Sequence, residues 1–144
     1  MIFRKSMIAA AIAVSGMTLA ASAIGAPAGQ LPAIQKQGAV TYMMGGIGQQ
    51  EATAIKHAAR RYPLELEFLL KAKPKEEYLS AVKVRINDAH QKTVLDVTAD
   101  GPFLLAKMPA GKYTVTAEHD GKVESHMVAV APKAHRRVVF EWKA

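Results

Sequence analysis

The sequence predicts an all-β sandwich of about seven strands with one short helix near its N-terminal end. Three observations carry this expectation. Apolar and polar residues alternate along most of the chain after residue 63, the pattern of strands with one face toward a core and one toward water. Gly, Pro, Asn and Asp punctuate those segments at roughly ten-residue spacing, as in sandwiches and barrels. One segment before residue 63 carries a helical period instead. The length of 144 residues suits a single modest domain.

In chain order, Val40-Thr41-Tyr42-Met43 is a candidate first strand, broken by Gly45-Gly46-Ile47-Gly48. The helix is expected over residues 51–62. Ala52, Ile55, Ala59 and Tyr62 make its apolar stripe, Glu51 and Arg60-Arg61 suit its dipole, and Pro63 ends it. Leu64, Leu66, Phe68 and Leu70 then alternate with Glu65 and Glu67, which are expected to face water. Val82, Val84 and Ile86 alternate with Lys83 and Arg85, and Leu95 and Val97 with Asp96 and Thr98. Tyr113, Val115 and Ala117 alternate with polar neighbours, as do Val138, Phe140 and Trp142 with Val139 and Glu141. The expected core holds Leu66, Phe68, Val84, Ile86, Leu95, Tyr113, Val115, Phe140 and Trp142. Asp120-Gly121 is the strongest hairpin signal, a two-residue loop. Within residues 122–131 the register stays open: Val123, Met127 and Ala129 share one parity, Val128 and Val130 the other. A bulge or a strand buried on both faces produces such a pattern.

Residues 1–23 read as an address. Arg4 and Lys5 precede the apolar run from Met7 to Val14, and Ala21-Ser22-Ala23 is a peptidase-type A-x-A site. This is the pattern of a secretory signal peptide, with cleavage expected after Ala23; Ala26 is disfavoured because Pro27 follows it. The run falls far short of the ~20 apolar residues that span a bilayer, and no transmembrane segment is expected in the mature chain. The expected location is the periplasm or the medium. Residues 24–38 hold two Pro and three Gly without a hydrophobic period and read as a flexible linker, leaving 39–144 as the domain. Removing Arg4 and Lys5 lowers 19 basic residues to 17 against 12 acidic, and the net charge from +7 to +5. The absence of Cys excludes disulfides, thiol nucleophiles and thiolate metal sites.

Asp100-Gly101-Pro102-Phe103-Leu104-Leu105, followed by Met108-Pro109-Ala110-Gly111-Lys112-Tyr113-Thr114-Val115, resembles a carboxypeptidase regulatory-like domain. That family belongs to the transthyretin-like, or prealbumin-like, Greek-key sandwiches. The likeness covers roughly residues 78–131, with Lys83-Val84-Arg85-Ile86 and Lys92-Thr93-Val94-Leu95 as the preceding hairpin. With the signal peptide, the chain is similar to small exported bacterial proteins carrying this domain. The motif also has a plain physical reading. Pro109 fixes φ for a turn, Gly111 permits a backbone geometry that other residues resist, and the Tyr113 hydroxyl bonds a nearby backbone group as in a tyrosine corner. Nothing in it is reactive.

The candidate chemistry is thin. The resemblance brings carboxypeptidase zinc to mind, yet no His is followed by Glu at the His-x-x-Glu spacing and no HExxH occurs. His119 and His126 flank the Asp120-Gly121 hairpin, where cross-strand pairing would bring them close. Two histidines without a third ligand make a poor metal site, and surface histidines are the better reading. Transthyretin-like hydroxyisourate hydrolases resemble one another in a C-terminal Tyr-Arg-Gly-Ser, whereas this chain ends Phe140-Glu141-Trp142-Lys143-Ala144. The Gly45–Gly48 run lacks the Lys-Ser/Thr of a phosphate loop, and Glu51 stands where a dinucleotide fingerprint needs Gly. The basic residues are dispersed rather than gathered into a stripe with exposed aromatics, which argues against nucleic acid. Seven or so short strands and nine aromatics are too few for an outer-membrane barrel. The expectation is an exported, non-enzymatic binding or accessory module that uses no cofactor and meets an envelope protein or polymer. A weak metal-binding stress protein and an enzyme of unrecognised type are the alternatives.

Overall fold

The alternating segments become two stacked sheets in the computed structural model, which describes residues 31–143. The strands are β1 (Gln35–Gln37), β2 (Val40–Gly45), β3 (Leu64–Lys71), β4 (Glu77–Tyr78), β5 (Val82–Asn87), β6 (Thr93–Ala99), β7 (Phe103–Lys107), β8 (Gly111–His119), β9 (Lys122–Val130) and β10 (Arg136–Lys143). Helix α1 spans Gln49–Ala58 and tightens into a 3₁₀ turn over Ala59–Arg61. One sheet has the order β1-β2-β7-β3-β10 and the other β6-β5-β8-β9. β10 lies parallel to β3 along its whole length, from Arg136 beside Leu64 to Lys143 beside Lys71. The opposite edge of β3 is shared. β7 pairs with residues 64–67, and the two-residue β4 pairs with Leu69 and Leu70.

All nine expected core residues are buried between the sheets. Phe68 and Phe140 lie 5.9 Å apart, and Phe140 stacks on Trp142 at 6.1 Å. Burying each such side chain contributes roughly 1.5–3 kcal/mol. The Asp120-Gly121 hairpin forms as expected, with His119 opposite Lys122. Both turn residues have positive φ, 51° and 76°, the backbone of a type I′ turn. The open register resolves: Val128 and Val130 point inward, while Val123 and Met127 are exposed.

Four expectations need correction. The first sheet is not half-buried. α1 covers its outer face, burying Ala52, Ile55, Ala58, Ala59 and Tyr62 against Met43, Phe103 and Leu105. On that face Glu65 and Glu67, expected in water, are only 5% and 3% exposed. The helix starts two residues before the expected Glu51, because Gln49 and Gln50 carry no apolar signal. Its last turn becomes 3₁₀ before Pro63. Within the stretch read as a linker, Gln35–Gln37 form β1 against β2. Gly111 has no left-handed φ; a Cβ there would meet the Tyr113 ring at 3.6 Å, an ordinary contact. The signal segment, its cleavage site at Ala23 or Ala26, and residues 24–30 lie outside the described residues. No helix among the described residues is long and apolar enough to cross a membrane.

Candidate functional site

The structural motif behaves as fold chemistry. The Tyr113 hydroxyl donates to the Pro109 carbonyl at 2.7 Å, and burial, then the charge of Asp88, pushes its pKa up. The glycine loop before α1 is packed rather than open. Gly46 has φ 101°, and the Phe103 ring occupies the space its Cβ would need. The Gly46 N–H donates to Glu51 Oε1 at 2.8 Å, so the loop's inward donor meets a carboxylate of its own helix. An anion has no place there.

His119 and His126 are not brought together. His126 lies opposite Val115 and His119 opposite Lys122, four positions apart along β8. Each packs edge-on against a different ring of β10, His126 on Phe140 at 4.8 Å and His119 on Trp142 at 5.7 Å. No cluster of three or more His, Asp or Glu side chains placed to hold a metal ion occurs among the described residues.

The polar site that forms instead lies where β10 meets β3. A buried carboxylate must be paired, and two residues preceding or within β10 do this. His135 Nδ1 donates to the Tyr62 carbonyl at 2.8 Å, while Nε2 faces Glu65 Oε1 at 2.9 Å. A carbonyl only accepts, so Nδ1 carries a proton. Arg137 Nε sits 3.8 Å from Glu65 Oε2, and its Nη2 donates to Glu67 Oε2. One guanidinium thus spans both carboxylates and fixes the start of β10, whose Arg136 N–H also donates to the Pro63 carbonyl at 2.9 Å. Farther along, Glu76 approaches Glu141, whose enclosed Oε1 lies 3.8 Å from Lys71 Nζ and makes no hydrogen bond among the described residues. The consequence falls on Glu76. Its carboxyl pKa is raised, first by the hydrogen bond to Glu141 and then by that group's charge. Sequence reasoning missed this assembly. The spacings Glu65-x-Glu67 and His135-x-Arg137 are visible, but only the parallel pairing of β3 with β10 sets one beside the other.

The two long sides of the sandwich are finished differently. At β1 and β6, the Gln37 side-chain amide pairs with the backbone of Asp96. Its Oε1 accepts the Asp96 N–H at 2.7 Å, and its Nε2 donates to the Asp96 carbonyl at 3.4 Å. At β9 and β10 the seal covers only one end. Trp142 Nε1 donates to the Lys122 carbonyl at 3.0 Å, and the Glu141 N–H donates to Glu124 Oε2 at 3.4 Å. The Arg136 N–H points toward β3 and the Glu141 N–H away from it. By strand alternation the N–H and C=O of Arg137 and Val139 also point away from β3. No backbone or side-chain bond among the described residues occupies them on that side. A recess of about 470 Å³ opens beside them, lined by His126, Met127, Val128 and residues 135–139. It offers backbone groups and cations, and no hydroxyl nucleophile.

In comparisons with known proteins, no family model and no curated protein matches this chain.

Proposed function

We propose that the chain is an exported, non-enzymatic binding or accessory module of the bacterial envelope. On this reading it is built on a carboxypeptidase regulatory-like sandwich of prealbumin-like Greek-key type. The signal-type pattern of residues 1–23 supports export, and the Asp100–Val115 motif supports the family reading. The observation that carries the binding role is the start of β10: Arg137 and Val139 turn N–H and C=O away from β3 beside an open recess and meet no partner among the described residues, whereas on the opposite side Gln37 takes both backbone groups of Asp96. Such an edge joins other chains by strand addition.

Fractionation and capture test this reading. The processed chain is expected in the periplasm or medium, beginning at Ile24, and the immobilised mature protein is expected to retain one envelope protein or polymer reproducibly. An unprocessed chain in the cytoplasm, or catalytic turnover traced to a defined side-chain constellation, contradicts it.

A further inference from the structure

We infer that the free edge of β10 takes an extended peptide segment that is acidic where it passes Arg136 and apolar where it passes Val138 and Val139. The inference rests on the binding-module reading and names the surface and the partner chemistry.

Main-chain recognition comes from Arg137 and Val139, which direct N–H and C=O toward the open side. A segment aligned there would add one strand to the path β1-β2-β7-β3-β10. Its reach along the edge is limited. Beyond Phe140 the Glu141 N–H is taken by Glu124, and the Trp142 indole bridges to Lys122. The partner is therefore held mainly at the start of β10.

Charge sets the side-chain preference. Arg137 is occupied by Glu65 and Glu67, and His135 by Glu65. Arg136 is exposed and makes no ion pair among the described residues; neither does Lys133, just before it. These two cations stand at the open end, whereas Glu124 and Glu141 stand at the sealed end. The edge therefore runs from positive to negative, and an acidic residue gains at Arg136 while being repelled near Glu141. Val138 and Val139 are only half-buried between these ends, leaving apolar surface for apolar side chains to cover. A second copy of this chain fits less well, because antiparallel β10 strands overlapping only at their starts gather Lys133 and Arg136 of both copies into one positive patch.

The test uses the exported chain and acetylated octapeptides of alternating Val and Thr, with two Glu or two Lys in one half. Binding is read by fluorescence anisotropy, and the site by amide shifts in a ¹⁵N spectrum. The Glu peptide is expected to bind, shifting the Arg137 and Val139 amides, and the Lys peptide is expected not to. Arg136→Glu should weaken the Glu peptide by about tenfold or more. Val139→Pro removes an N–H that β3 does not use, so an edge strand tolerates it, and it should abolish binding. If Val139→Pro fails to fold, Arg136→Glu alone decides the question. Equal binding of both peptides, or unchanged binding by Arg136→Glu, overturns the proposal. Self-association of the free chain that competes with the peptide overturns it in favour of a second copy. Retention of an envelope component by Val139→Pro and Arg136→Glu, with no peptide bound, removes this edge and leaves the binding-module reading standing.

Discussion

The two long sides of the sandwich solve one physical problem to different degrees. An edge strand exposes a row of backbone donors and acceptors that invite pairing. On the β1–β6 side a single side-chain amide imitates a strand and satisfies both backbone groups of Asp96. On the β9–β10 side the same device, a side chain bonding a backbone group, appears at Trp142 and Glu124 and then stops. The unsealed stretch coincides with the place where His135 and Arg137 tie β10 down onto Glu65 and Glu67. An edge held rigidly from one flank and left unpaired on the other is preorganised for a partner strand, since little ordering remains for the partner to induce.

Substitutions probe this contrast in decreasing order of effect. Trp142→Ala removes a buried indole and its bond to Lys122. It should cost about 3–5 kcal/mol in denaturant unfolding and loosen β9 from β10 while leaving the β1–β6 side intact. Arg137→Ala leaves two buried carboxylates short of a partner. A loss of roughly 1–3 kcal/mol is expected, the half-exposed guanidinium keeping it toward the lower end, and Glu67→Gln in the same chain should recover part of it. Gln37→Ala opens the sealed side for about 0.5–1.5 kcal/mol and should raise hydrogen exchange at Asp96. Recovery of Asp96 protection on adding a strand-forming peptide would show that sealing, and not sequence, distinguishes the two edges.

The smallest effect is a pH dependence at Glu76. Glu141 raises the carboxyl pKa of Glu76 in the fold, so between its unfolded and folded values the native state binds more protons than the unfolded chain. Stability from this pair is therefore present at low pH and declines as pH rises through the raised value. Glu76→Gln should flatten that decline in unfolding curves recorded from about pH 4 to pH 7, with no gain at the acid end. A variant that keeps the same slope would show that the pair does not titrate together.

Much of the sandwich was legible because burial of one strand face imposes a period of two. Leu66, Val84, Val115 and Phe140 each occupy the inward parity that alternation indicates. Local motifs were legible as well: the Asp120-Gly121 turn and the Tyr113 hydroxyl bond are set by residues at most four positions apart. What alternation misreported was Glu65 and Glu67. Their polarity marks them for water, yet they are buried and paired with His135 and Arg137, each seventy positions away. Parallel pairing at that distance leaves no local trace. The same limit applies to Gln37, an unremarkable polar residue until the fold carries it across to Asp96, fifty-nine positions on. His119 and His126 erred in the other direction. Their nearness to one hairpin suggested a pair, but strand rise separates them, and each serves as an edge-on cover for an aromatic ring.

The central claim is that the start of β10 is open, whereas Asp96 on the opposite side is capped by Gln37. Amide hydrogen exchange of the folded chain tests it directly, residue by residue. Asp96 and Glu141, each bonded to a side chain, are expected to exchange slowly, and Arg137 and Val139 quickly, near the rate of unpaired amides. Strong protection of Arg137 and Val139 in the isolated chain, equal to that of Asp96, would contradict the open edge and the binding role built on it.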